Sequence, residues 1–153
     1  MATRRQHTED RVIDTLNSIL EHEGLAGVVR YMHYSFMIFG YSRLPIVRWM
    51  RDQANESLQH AAGAGEHITA LGGHPSLAIG KLLETHHHDI DQILREAMEH
   101  EKEAAAMYRK LLDLVKDGSV ALEEYARTMV AGEENHINEV AKMLRRPETP
   151  DAD

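Results

Sequence analysis

Residues 94–112 read LREAMEHEKEAAAMYRKLL, and their period decides the fold. Leu94, Ala97, Met98, Ala105, Tyr108 and Leu112 recur at threes and fours, which places them on one face of an α-helix. Inside that face, where the period asks for another apolar side chain, stands Glu101. The same interruption recurs outward along the chain. The stripe Val130, Ile137, Val140, Leu144 is broken by Glu133, with His136 one turn further on the same side. The stripe Leu16, Leu20, Gly27, Tyr31 is broken by Glu23. On the remaining stripe, Met50, Ala54, Ser57, Ala61, Ala64 and Ile68, His60 sits alongside and Glu56 lies one turn before it.

These stripes predict four long helices, over about 8–40, 45–71, 87–116 and 119–145. Period-two strand patterns rich in Val, Ile and Thr are absent from the sequence. Thr8 is the expected cap of the first helix, with Glu9 and Asp10 in its first turn, and Pro45 suits the first turn of the second. Gly72-Gly73-His74-Pro75 ends the second helix. The third is expected to begin near Thr85 or His87, with His86-His87-His88 opening it, and Asp117-Gly118 ends it. Ser119 caps the fourth, which Arg145, Arg146 and Pro147 close. The connection 72–86 is expected to carry a short helical turn at 77–83, and the tail 147–153 to be disordered. At ~1.5 Å per residue, helices of about 26–31 residues run about 40–46 Å. The short links make two antiparallel hairpins, and the long one between them can cross the bundle's length. The expected fold is all-α: a single-domain up-down-down-up four-helix bundle spanning 1–153.

Composition bounds the function. The 153 residues carry a formal net charge of −8, which disfavours nucleic acid and anionic membranes as partners. There is no Cys, which removes thiolate metal sites and disulfides, while His is abundant at 11. The longest apolar stretch, 31–39, falls far short of the roughly 20 residues of a membrane span, and no targeting segment is visible, so a cytoplasmic location is expected.

The heights of the buried acids agree. Glu23 lies 15 residues from Thr8 and His60 15 from Pro45; Glu101 lies 14 from His87 and Glu133 14 from Ser119. In a bundle of equal helices those midpoints meet at one level. Carboxylates gathered there repel each other and lose their hydration, and divalent cations remove both problems. Glu23, Glu56, Glu101 and Glu133 balance two dications, and His60 and His136 add neutral nitrogen donors. Oxygen-rich sets with some imidazole suit iron and manganese.

These residues resemble the ferritin-like di-iron proteins, bacterioferritins above all, over about 10–145. Members carry one Glu from each of two helices and Glu-x-x-His from each of the others. Glu-Glu-Asn-His at 133–136, the stretch 16–23, Leu71 to Pro75, Glu101 and Tyr108 carry the resemblance. It implies iron binding, Fe(II) oxidation by O2 or peroxide with these six residues as ligands, and storage or detoxification of iron.

The sequence departs from the family at four places. Ser57 stands three residues before His60, where a Glu is expected, and Glu56 is the substitute one residue away. Glu23 to Tyr31 spans eight residues rather than seven: either a π-bulge absorbs the extra residue, or Gly24 takes the ligand position and Glu23 is misaimed. Leu58 stands at the haem-ligating Met position, so haem is not expected. Only nine residues follow Leu144, so a fifth helix of the kind that lines a cage axis is not expected, nor the cage and bulk storage that go with it.

Other residues have plainer expectations. Tyr31 and Tyr108 are expected to pack in the core with their hydroxyls satisfied. Tyr34, Phe36, Met37 and Phe39 suggest a homo-oligomer interface, a dimer at least. His86, His87 and His88 could hold a surface metal, guide iron inward or sit as a polar helix start; His22, His33, His67 and His100, near the middle level, are expected mostly on outer faces, with one able to support a metal ligand. The alternatives to ferroxidase are an oxidoreductase that retains iron or manganese and acts on peroxide or a small substrate, and a non-catalytic assembly protein with a degenerate metal site.

Overall fold

The computed structural model describes residues 4–82 and 84–147. The first long helix runs as α1 (Arg4–Ile19), a π-helical segment (Leu20–Ala26) and α2 (Gly27–Phe36). After a turn at 37–42 comes α3 (Arg43–Ala70), then a strap without helix or strand over the described residues 71–82 and 84–89, then α4 (Ile90–Val115), a four-residue turn and α5 (Val120–Leu144). No strand occurs among the described residues.

Two apolar clusters fix the direction of each helix. One gathers Val12, Leu16 and Ile19 with Ala64 and Ile68, Leu111 and Val115, and Leu122 and Ala126. The other gathers Tyr31, Tyr34 and Ile38 with Val47, Met50 and Ala54, Ile93, Leu94 and Ala97, and Val140. The starts of α3 and α4 therefore lie at the same end, and the order is up, down, down, up, as the stripes predict. Between the clusters lies a polar layer, described below.

The helix ends show which local signals won. Ser119 caps α5 as expected, accepting from the Leu122 backbone N–H at 3.3 Å. At the end of α3, Gly72 (φ 78) adopts the left-handed conformation. Gly72 N–H then donates to Thr69 O and Gly73 N–H to Ile68 O, which satisfies two terminal carbonyls.

Four boundaries differ from the sequence reading. The first helix already runs at Arg4, so Thr8 is not its cap, and it stops at Phe36 rather than 40. α3 begins two residues before Pro45. The described part of 77–83 is extended, not helical, and Leu83 lies outside the described residues. α4 begins at Ile90, not at Thr85 or His87, because Asp89 is the residue whose side chain accepts from the Gln92 N–H, at 3.0 Å. His86, His87 and His88 therefore belong to the strap. Of the expected disordered tail, 148–153 lies outside the described residues.

The strap climbs the first helix on polar rungs. Ser76 N–H donates to Asn17 Oδ1 at 2.8 Å, and Asn17 Nδ2 to His74 O at 3.2 Å. Gly80 N–H donates at 2.8 Å to the carbonyl of Glu21, inside the π-helical segment, and an Arg30 guanidinium nitrogen donates to Lys81 O at 3.1 Å. His33 Nε2 meets Glu84 Oε2 at 2.7 Å.

Candidate metal centre

The π-helical segment sets the aim of Glu23. A spacing of eight rather than seven from Glu23 to Tyr31 would turn an ordinary helix about 100° out of phase. The wide turn at 20–26 absorbs it, so Leu16 before it, Leu20 at its start and Tyr31 after it are all buried. Glu23 points inward and is 3% exposed, while Gly24 faces α3. A methyl group at Gly24 would stand 2.6 Å from Ala61 Cβ and 2.9 Å from Ala61 Cα, so only glycine lets the two backbones approach this closely.

All six residues singled out from the sequence come to one level. Glu23, His60 and Glu133 present ligand atoms within 4.8 Å of one another, and so do Glu101, Glu133 and His136. Glu133, from α5, is common to both triads and has no solvent exposure. His60 Nδ1 lies 2.6 Å from Glu23 Oε1 and 3.6 Å from Glu133 Oε1. His136 Nδ1 lies 3.6 Å from Glu133 Oε2 and 3.6 Å from Glu101 Oε2.

Glu56 closes the outer side. Its carboxylate faces both imidazoles, 3.8 Å from His60 Nε2 and 3.2 Å from His136 Nε2, and its side chain is 42% exposed. Ser57, at the family's ligand position, is buried against Gly27 instead, where an added methyl would lie 2.7 Å from its Oγ.

Two tyrosines hold the carboxylates from behind. Tyr31 Oη donates to Glu101 Oε1, and Tyr108 Oη donates to Glu23 Oε2 at 3.1 Å. Each fixes one oxygen and leaves the other for the centre. The hydroxyls are thus satisfied by groups of the polar layer, a coupling that spacing alone did not reveal. Burial first, then the neighbouring carboxylate, raises both phenols well above their ordinary range, so they stay protonated donors.

Glu133 is the anomaly. Neither of its oxygens has a hydrogen bond, and 3.6 Å to each imidazole is too far for one. Burial, reinforced by Glu101 and Glu23, pushes its carboxyl up to about 9. Burial likewise raises Glu23. Burial acts against charge on Glu101 too, but His136, Glu133 and Tyr31 outweigh it and hold Glu101 low. Burial opposes a charge on His136, and Glu101 and Glu133 override it, raising the imidazole to about 10. Protons therefore balance this layer where cations would otherwise do so. Orphaned, buried carboxylate oxygens facing two imidazoles fit a pair of divalent ions, with no thiolate to favour a structural zinc.

Two of the histidines expected mostly on outer faces pack inward instead: His100 is buried and the His22 side chain is 13% exposed. His22 and His100 stack at 4.5 Å between the first helix and α4, and burial lowers both, His100 to about 4. The signal was a second row on α4, Ile93, Ala97, His100, Ala104 and Leu111, all buried. Leu58, by contrast, is half exposed on α3.

Fold and layer together define a four-helix bundle with a carboxylate–imidazole centre in its interior. A ferritin-like domain profile matches residues 13–149, and the chain belongs to the Ferritin family. A search of curated proteins finds no match. Among solved structures, one of the ferritin-like, di-iron-carboxylate proteins from Bacillus anthracis str. Ames is similar at TM-score 0.85 and 24% identity, covering 91% of this chain and 99% of that one. The dodecameric thioferritin of Bacteroides fragilis, a bacterioferritin-related protein, gives 0.82 and 22% over 89% and 85%. Desulfovibrio desulfuricans bacterioferritin gives 0.83 and 20% over 94% and 83%. No helix among the described residues is long and apolar enough to cross a membrane.

Proposed function

We propose that this is a bacterioferritin-like protein that binds two Fe(II) ions in the polar layer and oxidises them to Fe(III) with O2 or peroxide. The observation that carries the reading is Glu133: fully buried, without a hydrogen bond, and equidistant from two imidazoles on opposite sides. In this reading Glu23 and His60 would hold one ion and Glu101 and His136 the other, with Glu133, common to both triads, available to each. Glu56 reaches across both imidazoles from the solvent side.

Bound iron supplies the electrons for the oxidant; the chain supplies charge and order. Four carboxylates match two ferrous ions and fall two charges short of two ferric ions, which favours iron as a substrate that moves on. Tyr31 and Tyr108 keep Glu101 and Glu23 from rotating, so the donor set needs little rearrangement on binding. The apolar clusters above and below exclude water, which strengthens each charge interaction in the layer. Manganese suits the same donors.

One alternative has its own observation. His60 and His136 give each ion position a nitrogen ligand, which favours retention of the metals as a cofactor acting on peroxide or a small substrate. Self-association is part of the proposal: Phe36 and Phe39 are 55% and 68% exposed at one end of the bundle, and the Bacteroides relative is described as dodecameric. We place the protein in the cytoplasm.

The test is aerobic loading with Fe(II), following the ferric absorbance and counting iron per chain. Many ions per chain mean storage, and about two mean a retained cofactor. Glu101→Ala and Glu133→Ala should each abolish oxidation with helical content preserved. Unchanged oxidation rates in both would end the proposal.

A further inference from the structure

Among the described residues, one other group of side chains outside the polar layer gathers metal-binding atoms. Glu84, His86 and His88, on the strap, present ligand atoms within 4.8 Å of one another. We propose that these three residues form a second, surface site for a divalent transition ion of the zinc, cobalt, nickel and copper class, and that the ion fastens the strap to α2.

The site is held in shape before any ion arrives. His86 sits in the left-handed conformation (φ 54), so the strap folds back on itself. Its backbone N–H then donates to Glu84 Oε1 at 2.7 Å, and its ring Nδ1 returns to within 3.8 Å of the same oxygen. The His86 and His88 rings stand 6.3 Å apart. The other Glu84 oxygen lies 2.7 Å from His33 Nε2 on α2. His33 therefore fixes the carboxylate and ties the site to the first helix. On either side, Thr85 Oγ1 donates to Glu96 of α4, and Asp89 caps that helix.

The chemistry is that of a nitrogen-rich site. Two imidazoles and one carboxylate, with a water completing four ligands, suit borderline ions better than they suit magnesium or calcium. His86 and Glu84 are 80% and 41% exposed in their side chains, so an ion reaches the site without opening the bundle. This inference stands apart from the interior centre and shares no residue with it.

The experiment is a Zn2+ titration of the full chain by calorimetry, with three variants. His86→Ala/His88→Ala should lose one equivalent of micromolar or tighter binding while keeping the parent's helical content. Glu101→Ala/Glu133→Ala should keep that equivalent, so failure of the interior reading and failure of this one are distinguishable. His33→Ala should keep the stoichiometry with affinity weakened by roughly 10-fold, the usual effect of removing a partner that orients a ligand. Zn2+ should also slow tryptic cleavage after Lys81 in the parent but not in the His86/His88 variant. If the His86/His88 variant binds as many equivalents as the parent, or the strap equivalent binds only at millimolar Zn2+, the site is refuted.

Discussion

Glu133→Met should stabilise the metal-free protein and silence its response to metal. Methionine is close in length to glutamate and flexible enough to fill the same space between His60 and His136. In the parent at pH 7, folding takes Glu133 from an ordinary carboxyl, near 4.5, into a setting that tolerates it only protonated. Holding a proton 2.5 pH units above the ordinary value costs about 3 kcal/mol. Part of this is offset by His136, which loses one of its two acidic neighbours in the variant. The expected net gain is about 1–3 kcal/mol, and in a chain of this size each kcal/mol raises Tm by about 2–4 °C. Differential scanning calorimetry in chelator reads this directly. With Mn2+ at about 100 times its Kd, the parent should gain about 2.7 kcal/mol and the variant nothing from the interior site. If the variant is less stable than the parent in chelator, Glu133 makes a favourable contact of its own. The argument that its place requires cations then fails.

Gly24→Ala should destabilise by about 1–3 kcal/mol and weaken metal binding, because the added methyl meets backbone atoms of Ala61 that cannot swing aside; urea unfolding and a Mn2+ titration check it, and wild-type values for both would remove the close-approach argument. Stability of the metal-free protein should fall as pH rises from 7 to 9. Glu133 and His136 both have raised folded-state values, so their proton-linked stability is complete below about 4.5 and 6.5 and is lost as pH climbs through about 9 and 10. Each extra proton held by the fold gives a slope of about 1.4 kcal/mol per pH unit; saturating Mn2+ should flatten it, because the ions displace those protons. Glu56→Ala should leave stability within about 0.5 kcal/mol, as expected for a half-exposed side chain, yet lower interior metal affinity; equal affinity would confine the centre to the other five residues.

What the sequence made legible, and what it hid, follows from how each residue meets its neighbours. Glu101 and Glu133 stand in apolar rows so regular that their inward direction is forced, and both are buried. The choice between Glu56 and Ser57 was not forced. Ser57 holds the stripe position, and only the reach of a longer side chain from one residue back brings Glu56 to the imidazoles. The extra residue before Tyr31 was visible as a phase error, but the alternative that Gly24 displaces Glu23 was resolved only by the π turn. The start of α4 was misplaced because Thr85 and Asp89 are both good caps; Thr85 spends its hydroxyl on Glu96, which leaves Asp89 for the helix. His22 and His100 read as outer-face residues because each flanks a glutamate that faces the centre, and their inward packing depends on how the first helix meets α4.

The polar layer lies between two separate apolar clusters of the bundle. Apolar contact alone therefore does not oblige the two ends to melt together. Every helix that contributes a donor to the layer would be riveted there by an ion, so metal acts on cooperativity as well as on stability. Stripped of ions, the end that holds the turn at 37–42 and the end that holds the turn at 116–119 can open as separate units in hydrogen exchange; loaded, they should open as one.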